Sequence, residues 1–332
     1  MKRYNIAIVG ATGMVGRKFL EVLAEKKFPI ENLYLFASSR SAGNEIEYQG
    51  KKYVVEELTE KSFDRNIDIA LFSAGASISK KFSPIAAKKG VIVVDNSSAF
   101  RMEKDIPLVV PEVNPDDVEK HNGIIANPNC STIQSVLPLK ALDKKYGIKR
   151  VIYSTYQAVS GSGVKGVADL QNGLKGEEPK NYPYPIANNC LPHIDVFLDN
   201  GYTKEEIKMI EETRKILGKP ELPVTATCVR VPVENSHSVS MNIELEEDFD
   251  LNEVFELFNN FEGIILQDDV QNNIYPMPLF ASGKNEVFIG RIRKDFSNPN
   301  TLNLWCVADN IRKGAATNTV QIAELLIKKG LV

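Results

Sequence analysis

Apolar runs and turn residues alternate along the first third of the chain. Tyr4-Asn5-Ile6-Ala7-Ile8-Val9 reads as a short strand that breaks at Gly10-Ala11-Thr12-Gly13-Met14-Val15-Gly16. Phe19, Leu20, Val22 and Leu23 then recur at helical spacing. Further strand-like runs fall at 33–37, 67–72 and 91–94, separated by helical or looped stretches such as 80–89, and residues 45–55, turning at Gln49-Gly50, predict an inserted hairpin. Strands separated by helices predict a doubly wound α/β sheet.

Beyond residue 129 the pattern changes. Asn127-Pro128-Asn129-Cys130-Ser131-Thr132 is turn chemistry running into Ile133, Val136, Leu137, Leu139 and Leu142, an amphipathic helical spacing. Residues 151–157 read as a strand ending in Gln157-Ala158-Val159-Ser160-Gly161-Ser162-Gly163, a flexible turn rich in backbone donors. Thr203-Lys204-Glu205-Glu206 has the form of a capping box opening a helix to about Leu217. Residues 225–232 and 238–245 predict strands; in the second, Val239, Met241, Ile243 and Leu245 alternate as a buried face, with His237 on the same parity. Residues 173–192, with four prolines, read as a loop, and 314–329 as a final amphipathic helix expected to pack back on the first domain. No internal repeat or low-complexity tract stands out.

At 332 residues the chain is long enough for two domains, each with its own core. Apolar residues make up 43%, charged residues 25%, and the net charge is −3. Basic residues are dispersed among acids, which argues against a nucleic-acid partner. No apolar run is long enough to span a membrane, and Met1-Lys2-Arg3-Tyr4-Asn5 leads into a strand rather than a signal peptide, so a cytoplasmic location is expected. The four cysteines lack CxxC spacing and there are three histidines, so neither a disulfide framework nor a metal centre is expected.

Gly10, Gly13 and Gly16 form a GxxGxxG variant of the phosphate-cradling turn, placed between a strand and a helix. Where an NAD site carries a ribose-binding carboxylate, the second strand ends in Ala37-Ser38-Ser39-Arg40-Ser41. One guanidinium and several hydroxyls favour a 2′-phosphate, hence NADP; a solvent-facing loop arginine is the ordinary alternative. Cys130, at a helix start, is either a small core residue or a nucleophile whose thiolate the helix N-terminus stabilises. Gln157 is either a strand-end amide or a group that orients substrate beside a thiol. Glu212 and Lys215, three apart on one helix face, are either an exposed ion pair or a grip on an amine and a phosphate. Arg230 shares parity with the small residues Ala226 and Cys228, which leaves room for a ligand carboxylate, and His237 is either a core-edge imidazole or an acid/base.

These segments, with Asp95-Asn96-Ser97-Ser98-Ala99-Phe100-Arg101-Met102, Glu212-Thr213-Arg214-Lys215-Ile216, Arg230-Val231-Pro232-Val233 and Gly314-Ala315-Ala316, together resemble the aspartate-semialdehyde dehydrogenases over essentially the whole chain. The resemblance implies a Rossmann-type NADP-binding domain at 1–129, completed by a C-terminal helix at 310–332, and an α+β catalytic and dimerisation domain at 130–309. It implies Cys130 as the acyl-forming nucleophile, His237 as acid/base and Gln157 as the group positioning the acyl. Arg101, Asn129 and Lys215 match phosphate-binding positions, Glu212 the position facing the substrate amine and Arg230 the one holding its α-carboxylate. Gly10, Thr12, Gly13, Met14, Val15, Arg40, Ser41, Ser160, Gly161 and Asn310 match NADP-contacting places. The implied reaction is NADPH-dependent reductive dephosphorylation of L-aspartyl 4-phosphate through a Cys130 thioester, releasing inorganic phosphate, in a homodimer or homotetramer serving lysine, threonine, methionine and diaminopimelate synthesis. One departure is Ser236, where the family often has glycine before the histidine. Two other readings remain open at this point: an N-acetylglutamyl phosphate reductase, and a non-catalytic NADP-binding relative.

Overall fold

Two sheets of different construction carry the molecule. In the computed structural model, which describes residues 2–332, the chain divides after Pro128 and again after Gly314; Met1, the first residue of the expected nucleotide-binding domain, lies outside the described residues. The first unit is the chain up to Pro128 with Ala315–Val332, and the second is Asn129–Gly314.

The first unit holds β1 (Tyr4–Val9), α1 (Met14–Glu25), β2 (Ile30–Ala37), the hairpin β3 (Glu45–Tyr48) and β4 (Lys51–Val54), β5 (Glu56–Glu57), β6 (Ile69–Phe72), α2 (Ala76–Lys88), β7 (Ile92–Asp95) and β8 (Ile124–Ala126). Six strands pair in parallel in the order β5-β2-β1-β6-β7-β8. The order reverses across β1, so the first turn sits at the crevice where such sheets bind ligands. β1 is buried at every position, as a strand covered on both faces must be. Phe19, Val22 and Leu23 of α1 are fully buried, each contributing about 1.5–3 kcal/mol. The C-terminal segment opens as a π-helical stretch, Arg312–Thr317, and becomes an α-helix at Asn318–Lys328, a helix later than the apolar spacing predicts. Val320, Ile322, Ala323 and Leu326 of that helix join the core of the first unit.

The second unit runs α3 (Cys130–Tyr146), β9 (Ile148–Gln157), α4 (Gly163–Gly173), α5 (Lys204–Leu217), β10 (Val224–Arg230), β11 (His237–Leu245), α6 (Leu251–Asn259), β12 (Ile264–Leu266), α7 (Pro278–Ala281), β13 (Val287–Lys294) and β14 (Thr301–Ala308). Its sheet is mixed, in the order β10-β9-β11-β14-β13-β12, with β10/β9 and β12/β13 parallel and the rest antiparallel. The protein is thus α/β, with one Rossmann-type unit and one mixed-sheet unit.

α3 corrects one expectation. It is not amphipathic: Ser131 through Leu139 are all buried, because the helix packs against β9, β11 and β14 on one side and α5 on the other. Pro138 inside it leaves the Gln134 carbonyl without its helical donor, and Cys306 Sγ donates there instead at 3.4 Å. Gln134 Nε2 in turn donates to the His237 carbonyl at 3.1 Å, tying the helix to the start of β11.

Candidate active site

Sheet register assembles the centre of the second unit. Arg230 pairs with Gln157 across β10/β9, and Ser238 pairs with Tyr156 across β11/β9, so one further step sets His237 opposite Gln157. Strands lie about 4.8 Å apart, which places the three side chains side by side in one row. Period-two alternation turns all three to the buried face.

Ala158 then holds the row in place. Its N–H donates to His237 Nδ1 at 3.0 Å and its carbonyl accepts from Arg230 Nη1 at 2.6 Å. A nitrogen that accepts a hydrogen bond carries no proton, so the neutral imidazole bears its proton on Nε2. Burial, with the Arg230 charge added, holds the His237 pKa well below the usual histidine value, which keeps the ring neutral. His237 Nε2 and Arg230 Nε are both buried with no protein partner. A Cβ built on Gly161 would stand 2.9 Å from Arg230 Nη1 and 3.3 Å from His237 Nε2, so the glycine lets the turn after β9 lie close against both. Beside it, Asn310 Nδ2 donates to Ser160 Oγ at 3.0 Å, and Asn310 Oδ1 accepts from the Ser236 amide at 2.9 Å. Ser236 adopts φ 75°, the left-handed region where a glycine is at ease. The Asn310 contact holds that backbone despite its side chain.

Cys130 is the first residue of α3, half-buried, and Asn129 caps the helix. Asn129 Oδ1 accepts from the Ser131 and Thr132 amides at 2.9 and 3.3 Å, so those two first-turn donors are committed to the cap and do not serve an oxyanion. The Asn129 amide donates to Glu212 Oε2 at 2.6 Å and its Nδ2 to Glu205 Oε1 at 2.9 Å. A Cβ on Gly314 would lie 2.7 Å from the Cys130 Cβ; the π-type bond from the Gly314 N–H to the Asp309 carbonyl brings that backbone in. Burial pushes the Cys306 thiol up to about 12 and raises that of Cys228, while Cys190 is exposed.

The helix α5 supplies acids. Both bonds of the expected capping box form at Thr203 and Glu206. Glu212 is 1% exposed rather than part of a solvated pair, while Lys215 is half-buried. Glu205, which the residue pattern marks only as part of a cap, is buried and accepts from Asn129 Nδ2 and from Gln157 Nε2, the latter at 3.3 Å. Neither Glu205 nor Ala158 carries a sequence signal of its role, because each acts through partners that only the fold brings near.

The first unit makes a cleft of about 520 Å³ lined by Gly10, Thr12, Gly13, Ser38, Ser39, Arg40, Ser73 and Glu57, among others. Gly10 adopts φ 88°, and a Cβ there would meet the Ser73 carbonyl at 2.5 Å; one on Gly16 would meet the Gly10 carbonyl at 2.1 Å. Gly13 caps α1 without a side chain, which opens the helix N-terminus to an anion. Met14 and Val15 form the first turn of α1 and Ser41 ends the short 3₁₀ turn Ser39–Ser41; none of the three lines the cleft. These residues fit a dinucleotide: backbone donors for the pyrophosphate, Arg40 and two serines for a ribose phosphate. Glu57, brought in by β5 after the hairpin, adds a carboxylate that the second strand itself does not supply. Arg101 is buried, its Nε donating to the Asn127 carbonyl at 2.9 Å and its Nη2 to the Asn96 carbonyl at 3.1 Å.

Known proteins match this arrangement along its whole length. A family model described as semialdehyde dehydrogenase, NAD binding domain, matches residues 5–121, and one described as semialdehyde dehydrogenase, dimerisation domain, matches 139–313. An aspartate-semialdehyde dehydrogenase of Aquifex aeolicus is 56% identical, covering 99% of each chain. A crystal structure of aspartate semialdehyde dehydrogenase II from Vibrio cholerae complexed with ASA superposes with a TM-score of 0.96 at 46% identity, over 99% of each chain. An aspartate semialdehyde dehydrogenase structure with NADP from Candida albicans does so with a TM-score of 0.80 at 27% identity, over 100% of each.

Proposed function

Because this chain belongs to the aspartate-semialdehyde dehydrogenase family, and is an oxidoreductase of amino-acid biosynthesis of that type, we propose that it reduces L-aspartyl 4-phosphate to L-aspartate 4-semialdehyde with NADPH, through a thioester on Cys130. The observation that carries the reading is the pair of buried N–H groups without partners, His237 Nε2 and Arg230 Nε. An unmet buried donor costs about 1–3 kcal/mol, so two of them on neighbouring side chains of one row speak for a ligand with an oxyanion and a carboxylate.

Cys130 thiolate attacks the acyl carbon; the C–S bond forms, the bond to phosphate breaks, and one difficult displacement becomes two easier steps. Bound NADPH supplies the hydride. Cys130 then leaves as thiolate while the carbonyl of the aldehyde re-forms, so the thiol ends as it began. His237, with its proton on Nε2, donates to the oxygen on which charge develops; taking up a second proton would break its bond from Ala158. The one proton consumed overall ends on the released phosphate. Arg230 holds the α-carboxylate, with Nη1 kept in place by the Ala158 carbonyl. Glu212 serves the substrate ammonium, and Arg101, Asn129 and Lys215 the phosphate. Arg40 favours NADP. We place the enzyme in the cytoplasm as a homodimer or homotetramer, supplying lysine, threonine, methionine and diaminopimelate synthesis.

The test is reduction of NADP by aspartate semialdehyde plus phosphate, with NAD and N-acetylglutamate semialdehyde as alternatives. Turnover that requires phosphate, prefers NADP by about tenfold (1.4 kcal/mol) and ignores the acetylated aldehyde is expected. Equal use of the two aldehydes or a preference for NAD overturns that part of the reading.

A further inference from the structure

Glu205 stands outside every role assigned so far, yet it touches the side-chain amides of both Asn129, which precedes Cys130, and Gln157. The residue is 5% exposed. Oε1 accepts from Asn129 Nδ2 at 2.9 Å and from Gln157 Nε2 at 3.3 Å, while Oε2 accepts from Lys208 Nζ at 3.1 Å. Lys208 is shared with Asp195 Oδ2 at 2.8 Å.

A primary amide has a donor end and an acceptor end, and its neighbours decide which way it points. Asn129 is pinned at both: Oδ1 takes the helix amides of α3, and Nδ2 gives to Glu205. Gln157 gives Nε2 to Glu205 and Thr155 Oγ1, which turns its carbonyl oxygen away from that pair. One carboxylate oxygen therefore orients the cap that sets the Cys130 helix and the amide in the Arg230–Gln157–His237 row. We propose that Glu205 is a positioning residue for the Cys130 chemistry, acting through the amide orientations of Asn129 and Gln157. The inference rests on the proposed acyl-transfer reading of this site. It also requires an acceptor that stays ionised. Burial pushes the Glu205 carboxyl up, but Lys208, the Asn129 amide and Arg230 outweigh it and leave it below the usual carboxylate range. Lys208 itself, 19% exposed at its side chain, is held up in its charged form by Glu205 and Asp195 against its own burial.

The chemistry of the replacement makes the test specific. In Glu205→Gln the new amide must present NH₂ either to Lys208 or to Asn129 and Gln157, and every one of those groups is a donor. Removing the ammonium in Glu205→Gln/Lys208→Met lets the amide turn its oxygen back to Asn129 and Gln157. Glu205→Gln is expected to lose about 100-fold in kcat, the scale of a small misplacement at a reacting centre, with KM within about threefold. The double variant is expected to recover to within about tenfold of the wild type although it has lost an ion pair, an outcome a merely structural role does not produce. A folded double variant still about 100-fold down, or Glu205→Gln keeping more than about a third of wild-type kcat, overturns the proposal. If Glu205→Gln does not fold, the double variant alone decides by the same threshold. Wild-type turnover of aspartate semialdehyde with phosphate is measured beside them, so that failure of the activity itself is distinguished from failure of the Glu205 assignment.

Discussion

The cleft of the first unit and the buried polar centre of the second are built on opposite plans. The cleft is mostly backbone: Gly10, Gly13 and Gly16 remove side chains so that a strand, a turn and a helix can meet, and all three lie within seven consecutive residues. The centre is mostly buried side chain: Asn129, Gln157, Glu205, Arg230 and His237, drawn from five separate segments and joined by hydrogen bonds. A backbone site is tuned by what is absent and tolerates no added carbon. A side-chain network is tuned by proton inventory, and its weak point is any group that turns a donor into an acceptor.

The sharpest break of that contrast is Cys130→Ser, which should lower turnover by on the order of 10⁴-fold or more while the urea midpoint moves little. Steady-state kinetics and unfolding curves on the same preparation check it; near-normal turnover would sink the nucleophile assignment. Next comes Gly314→Ala, where a carbon added to a backbone position in the second unit presses on the Cys130 Cβ. About 100-fold in kcat is expected, with dinucleotide binding by calorimetry unchanged. The matching change in the first unit, Gly16→Ala, drives a carbon into the Gly10 carbonyl. There the expected loss is about 1–3 kcal/mol of stability by urea unfolding, with dinucleotide binding weakened and thiol alkylation of Cys130 unaffected.

The smallest effect is on pH. The folded pKa of His237 lies below its unfolded value because burial and Arg230 disfavour the imidazolium. The unfolded state therefore takes the proton first. The stability contribution is complete above about pH 6.5 and is lost as pH falls below it. Urea midpoints at pH 7.5 and 5.5 should differ less in His237→Gln than in the wild type; equal differences would mean that the ring is not buried neutral. His121, also lowered by burial, contributes equally to both and cancels.

How much of this was legible in the chain follows from the same contrast. β1, the glycine turn, the hairpin and the Thr203 capping box were readable because each is specified by residues within a few positions of one another. At 130, 157, 230 and 237 the residue pattern offered a functional role beside an ordinary one and the family resemblance chose between them, while Glu212 with Lys215 read first as an exposed ion pair. Glu57 and Glu205 were missed for one reason: β5 reaches the cleft only after an excursion through the hairpin, and Glu205 meets Asn129 and Gln157 only when α5 packs on α3.

The sequence by itself determined local conformation: where glycine removes a Cβ, where Asn129 can cap, which strand positions share parity. Tertiary structure alone decided the register that sets Arg230, Gln157 and His237 in one row, the burial of α3 on both sides, and the proton on His237 Nε2. Parity says which face a side chain takes, but not which neighbour it meets; that depends on strand order and offset, which are settled by packing the whole sheet.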